Sequence, residues 1–166
     1  MKQYKRVYAT VDLDAIRQNM EAMKANIAKG TMICGVVKSD GYGHGSVPVA
    51  KAVEDLVWGY AVAAVEEGWV LRDHHITKPI LVLGYVPEEE FESLVEQEIR
   101  YTVSEWKEVE ILSKIAQKLG KNAYVHIKMD TGMGRIGLRS AEEILTLAQK
   151  IETLPNIVIE GIFTHM

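Results

Sequence analysis

Short apolar, β-branched runs alternate with helical repeats along this chain, and that alternation limits the available folds more than any other feature. The runs at 32–37, 60–63, 80–83, 101–103, 123–129 and 157–163 read as buried strands. Helical spacing separates them. Asp14 is a plausible N-cap for Ile16, Met20, Met23 and Ile27, with Gly30 as a stop. Ser46 can cap a helix carrying Val49, Val53 and Leu56, and Ser104 one carrying Val109, Leu112, Ile115 and Leu119, stopped by Gly120. Ser140 and Glu143 form a capping box ahead of Ile144, Ala148 and Ile151. The stretches 64–73 and 88–98 are weaker helices, the first interrupted by Gly68. Apolar strands that are each followed by a helix imply an α/β fold with a covered parallel sheet. Six strands suit either a complete doubly wound sheet or a (β/α)8 barrel two strands short. Residues 7–12 are a further strand candidate that belongs elsewhere.

The 166 residues allow one domain with a sizeable core. A net charge of -4 leaves no basic footprint for nucleic acid and no cationic face for a membrane surface. The single cysteine, Cys34, excludes an intramolecular disulfide and fits a reducing cytoplasm. It lies in an apolar run and is expected to be a buried, inert thiol. The start, Met1 to Arg6, leads into no apolar signal-peptide region, and no apolar stretch reaches the length of a membrane span.

Three places look chemical. Lys38 ends an apolar strand and opens Ser39-Asp40-Gly41-Tyr42-Gly43-His44-Gly45. Desolvation at a strand mouth eases deprotonation of an amine, as Schiff-base formation with an aldehyde cofactor requires. The glycines let the backbone approach a ligand, and Tyr42 adds a hydroxyl. The plainer reading is a lysine snorkelling beside a turn. The second place is His126 to Gly137. Strand alternation sets His126, Lys128 and Asp130 on one face, and Arg135 follows in a glycine-rich loop. Two neighbouring cations, Lys128 and Arg135, need an anion between them, for which Asp130 is one candidate. The plainer reading is a solvated strand end with a surface arginine. The third is His165, which could equally be a packing residue. The histidines lack metal-ligand spacing apart from the adjacent His74 and His75, so no metal site is expected. Lys38, Lys128 and His165 all end strands, and in a parallel barrel those ends share the active-site face.

The run Val36-Val37-Lys38-Ser39-Asp40-Gly41-Tyr42-Gly43-His44-Gly45 resembles the cofactor-lysine signature of alanine racemases, V-V-K-A-[DN]-A-Y-G-H-G, with Ser39 and Gly41 as departures. Lys128 to Gly137 is similar to a second signature of that family, and Phe163-Thr164-His165 to a third. The resemblance extends over essentially the whole chain. It implies a parallel (β/α)8 TIM-type barrel, with about six of its eight strands in 13–166 and an N-terminal segment, 1–12, able to pair with a C-terminal β domain. It also implies a pyridoxal 5'-phosphate enzyme interconverting L- and D-alanine, acting in the cytoplasm as a homodimer and supplying D-alanine for peptidoglycan.

By the same resemblance, Lys38 would carry the cofactor as a Schiff base and act as base on one face of the substrate α-carbon. Tyr42 would bond the phosphate, Arg135 the phenolic oxygen, and His165 would lie beside the pyridine ring. Lys128 would be carbamylated and hold Arg135. The family's opposite-face tyrosine and its arginine at the pyridine nitrogen would lie beyond residue 166. The chain alone is therefore expected to be inactive and self-associating. Two alternatives stand beside this reading: a non-catalytic pyridoxal-phosphate-binding module, and a serine or broad-specificity racemase on the same barrel.

Overall fold

The computed structural model describes residues 7–166. Six strands, β1 (Cys34–Val36), β2 (Gly59–Val62), β3 (Ile80–Val82), β4 (Ile99–Val103), β5 (Ala123–Met129) and β6 (Ile157–Thr164), form one sheet. Every neighbouring pair is parallel. The strands lie in the order β1-β2-β3-β4-β5-β6. A doubly wound sheet reverses its order at a switch point, whereas an arc of barrel adds each strand to the same side of the last. The consecutive order makes this an arc of a (β/α) barrel.

The helices are α1 (Leu13–Asn26), α3 (Ser46–Val53), α4 (Val65–Asp73), α5 (Phe91–Glu96), α6 (Trp106–Leu119) and α7 (Ala141–Ile151), with a left-handed turn, α2, at Lys38–Tyr42 and a 3-10 turn at Glu88–Glu90. The core lies between the strands and these helices. Tyr60, Ile80, Tyr101 and Val125 point outward into it and are fully buried. On the concave face Val36, Ala61, Leu81 and Arg100 occupy successive register positions, and Thr102 pairs in turn with His126.

Several boundaries differ from the sequence reading for local reasons. Asp12, not Asp14, caps α1, accepting the Ala15 amide at 3.0 Å. Gly45 precedes α3, so Ser46 is its first residue. The cap of α6 is Glu105 rather than Ser104, because Glu108 gathers the amides of both. The Ser140–Glu143 capping box is present. Gly68, which weakened the pattern of α4, is a packing site: a β-carbon there would lie 3.1 Å from Ile99 Cδ1. Residues 7–12 form no strand, and residues 1–6 of the expected N-terminal segment lie outside the described residues. Among the described residues no helix is long and apolar enough to cross a membrane.

Candidate active site

The C-terminal ends of the strands converge on one face. Lys38 lies two residues beyond the end of β1 and is half-buried, its Nζ standing 5.8 Å from the centre of the Tyr42 ring. Lys38, Tyr42, Arg135 and His165 line one open cavity of about 350 Å³, walled by Val36, Ala63 and Leu83. Arg135 and His165 also border an adjoining space of about 370 Å³ with Lys128 and His126. All five sequence-predicted site residues therefore meet around two contiguous spaces, although Lys38 and Arg135 are 97 positions apart by number (135 - 38).

The turn after Lys38 winds the wrong way. Ser39, Asp40, Gly41 and Tyr42 have φ of 52°, 50°, 61° and 56°, a left-handed turn. Each non-glycine residue there costs about 1–2 kcal/mol, so surrounding bonds must hold it. The Gly41 amide bonds the Val37 carbonyl at 2.8 Å, the Gly45 amide bonds the Asp40 carbonyl at 2.8 Å, and Asp40 Oδ1 takes the Ser46 amide at 2.8 Å. Gly41 has a second reason to be glycine: a β-carbon would stand 3.2 Å from the Ser46 nitrogen. The turn sets Tyr42 beside Lys38 at the cavity mouth.

Lys128 is 3% exposed, and its amine bonds the Met129 carbonyl at 2.7 Å and lies 5.5 Å from the centre of the Phe163 ring. Asp130, the anion considered for it, is committed elsewhere. Its carboxylate accepts the Gly132 amide at 3.0 Å and the Gly134 amide at 2.9 Å, and lies 3.8 Å from Arg139. Those amide bonds, Gly134 first, hold the Asp130 carboxyl below the usual carboxylate range. It shapes the glycine-rich loop that carries Arg135. Cys34 is also placed differently from expectation: it is exposed on the concave face. Desolvation of the thiol itself pushes it up to about 11, which disfavours the thiolate at neutral pH.

One network escaped the sequence reading. Glu160 of β6 accepts Arg100 Nε and Nη2, both at 3.1 Å, and His126 Nε2 at 3.0 Å. Burial alone would raise the Glu160 carboxyl; the bonds from Arg100 and His126 outweigh it and hold the group low. A charged residue inside the otherwise apolar 157–163 run was the available signal, since an unpaired buried charge is untenable.

The residues fit a pyridoxal-phosphate-type group: an amine for an aldehyde, a phenol for a phosphate, and a guanidinium for a phenolate converge on a cavity with apolar walls. The family described as the alanine racemase N-terminal domain matches residues 11–166. The chain belongs to that family. The alanine racemase of Symbiobacterium thermophilum is 44% identical over 160 residues, which cover 96% of this chain and 42% of that protein. The solved alanine racemase of Clostridium difficile 630 superposes with a TM-score of 0.88 at 42% identity, over 93% of this chain and 41% of that one. The enzyme from the D-cycloserine producer Streptomyces lavendulae gives 0.90 at 31% identity, over 99% and 44%. The chain thus spans little more than two fifths of these relatives.

Proposed function

We propose that this chain is the pyridoxal-phosphate-binding barrel portion of a cytoplasmic, homodimeric alanine racemase that supplies D-alanine for peptidoglycan. The observation that carries the reading is the single cavity bordered by Lys38, Tyr42, Arg135 and His165. Lys38 would hold the cofactor covalently through its amine and, when freed, move the proton on one face of the substrate α-carbon. Tyr42, at the cavity mouth, would bond the phosphate. Arg135 would donate to the phenolic oxygen, and His165 would lie beside the pyridine ring. Lys128 as a carbamate would supply the anion that holds Arg135, which Asp130 does not do. When bound, the cofactor supplies an electron sink that stabilises a carbanion at the α-carbon. The apolar walls, Val36, Ala63 and Leu83, would limit water around that carbon.

The deciding experiment is reduction with borohydride in the presence of pyridoxal phosphate, followed by peptide mapping. The label is expected on Lys38. Label on a different lysine, with the cofactor bound, would sink the assignment. Lys38→Arg should fold and take up no label, because a guanidinium stays protonated and does not condense.

A further inference from the structure

We infer that Glu67 is a positioning residue for Lys38: its carboxylate clamps the peptide that leads from the lysine into the left-handed turn. Glu67 is the third residue of α4. Its Oε2 accepts the Ala63 amide at 2.7 Å and the Ala64 amide at 3.3 Å, which satisfies the start of the helix. Its Oε1 reaches away from α4 and accepts the Ser39 amide at 2.6 Å. That amide belongs to the Lys38–Ser39 peptide, so the bond fixes the plane from which the lysine side chain departs.

The same glutamate position recurs twice more, and the comparison separates capping from clamping. Glu143 uses one oxygen, Oε2, for the Arg139 and Ser140 amides ahead of α7, at 2.8 and 3.0 Å. Glu108 likewise uses Oε2 for the Ser104 and Glu105 amides, both at 3.1 Å, and gives Oε1 to the Tyr101 hydroxyl at 2.8 Å. One oxygen is enough to cap a helix. At α4 the second oxygen is spent on the turn that presents Lys38.

The turn needs such a partner. Ser39, Asp40 and Tyr42 are left-handed without being glycine, and such residues relax toward negative φ unless held. Asp40 anchors the far end through the Ser46 amide at 2.8 Å, and Glu67 anchors the near end. Releasing the near end would let the backbone carry both Lys38 and Tyr42 away from the cavity.

The inference rests on Lys38 as the cofactor-bearing lysine, and the test separates the two. Glu67→Gln keeps the size of the side chain but turns an amide NH2 toward a donor, at either Ser39 or the α4 cap. In the intact, cofactor-free protein, amide exchange over 38–45 should accelerate about tenfold, the scale of one hydrogen bond to a charged group. At limiting pyridoxal phosphate, borohydride fixation on Lys38 should fall by a similar factor. Glu143→Gln, which removes the same kind of cap at α7, should lower the Tm while leaving both readouts unchanged.

If Glu67→Gln does not fold, Glu67→Asp replaces it. One methylene shorter, it keeps oxygens for α4 but cannot also span to Ser39, and the same loosening of 38–45 is expected. Faster exchange confined to 63–67, with 38–45 and Lys38 labelling unchanged, would reduce Glu67 to a helix cap and overturn the inference. Label on another lysine in the unmutated protein would instead overturn the cofactor assignment. The exchange result without cofactor would still decide whether Glu67 holds the turn.

Discussion

Gly161 lies against the face of His126: a β-carbon on Gly161 would stand 2.9 Å from Nδ1 and 3.0 Å from Cε1 of the imidazole. The contact follows from a register shift in which His126 pairs with Gly161 while Val125 pairs with Ile159, leaving Glu160 as the extra residue. The bulge puts the Glu160 carboxylate on the same side as the His126 ring, and the missing side chain at 161 leaves room for that ring. Gly161→Ala should therefore destabilise the protein by about 1–3 kcal/mol, the range for forcing extra volume into a packed site. Gly161 is not at positive φ, so backbone strain does not confound the result. Thermal denaturation should show most of the loss recovered in the Gly161→Ala, His126→Ala pair relative to additivity. Strictly additive effects would refute the contact.

Glu160 should make the fold sensitive to acid. Its carboxyl is held below the usual range in the folded chain, so the stabilisation is fully present above the unfolded-state carboxyl pKa. It is lost as pH falls through the lower folded-state value. Glu160→Gln should cost about 2–3 kcal/mol at pH 7, less than a fully buried pair because the side chain is 23% exposed. The gap from the unmutated protein should close in acid. Denaturant midpoints measured across the acid range check this, and a gap that is independent of pH counts against it.

Lys128 should carry an anion on its amine. It is buried, shares a cavity with Arg135, and makes no direct ion pair with Asp130, whose carboxylate is bonded to its own loop and feels Lys128 only as a weaker charge attraction. Lys128 is desolvated while Arg135 is exposed, so the two like charges repel across a space open to water on one side, and an anion between them would relieve that repulsion. Isotopically labelled bicarbonate should give a carbamate signal that disappears in Lys128→Met. High-resolution density showing a bare amine facing Arg135, with no anion between them, is the contrary outcome.

Tyr42 should discriminate between cofactor forms. Tyr42→Phe is expected to weaken retention of pyridoxal phosphate by about tenfold, the value of one charge-assisted hydrogen bond, and to leave pyridoxal binding unchanged. Equal losses for both ligands would show that Tyr42 acts on the ring or on the turn rather than on the phosphate.

The 166-residue chain expressed by itself should self-associate and turn over no amino acid. Among the described residues β1 and β6 each pair on one side only, and Val36 and Ile162 are 44% and 54% exposed. Open edges with apolar surface recruit further chain. Racemisation also needs proton transfer on both faces of one carbon; Lys38 would serve one, and an acid–base partner on the other is worth about 10²–10⁴-fold. A monodisperse monomer in light scattering contradicts the first half, and measurable turnover contradicts the second.

The elements, and the placement of Lys38, Lys128 and His165 at or just beyond the C-terminal ends of strands, were legible in the sequence because periodicity and capping act over a few residues. The Ser140–Glu143 box and the apolar face of α6 are of that kind. The left-handed turn after Lys38, the Glu160 bulge and the two roles of Glu67 were not. Each depends on partners brought together by strand register: Ser39 with Glu67 across 28 positions, and Arg100 with Glu160 across 60. The choice of barrel arc over doubly wound sheet was likewise open in composition, since both use the same strands and helices. The signature runs around Lys38, Lys128 and His165 pointed to the barrel, and the tertiary structure bears it out by setting each strand beside its predecessor and gathering the strand ends around one cavity.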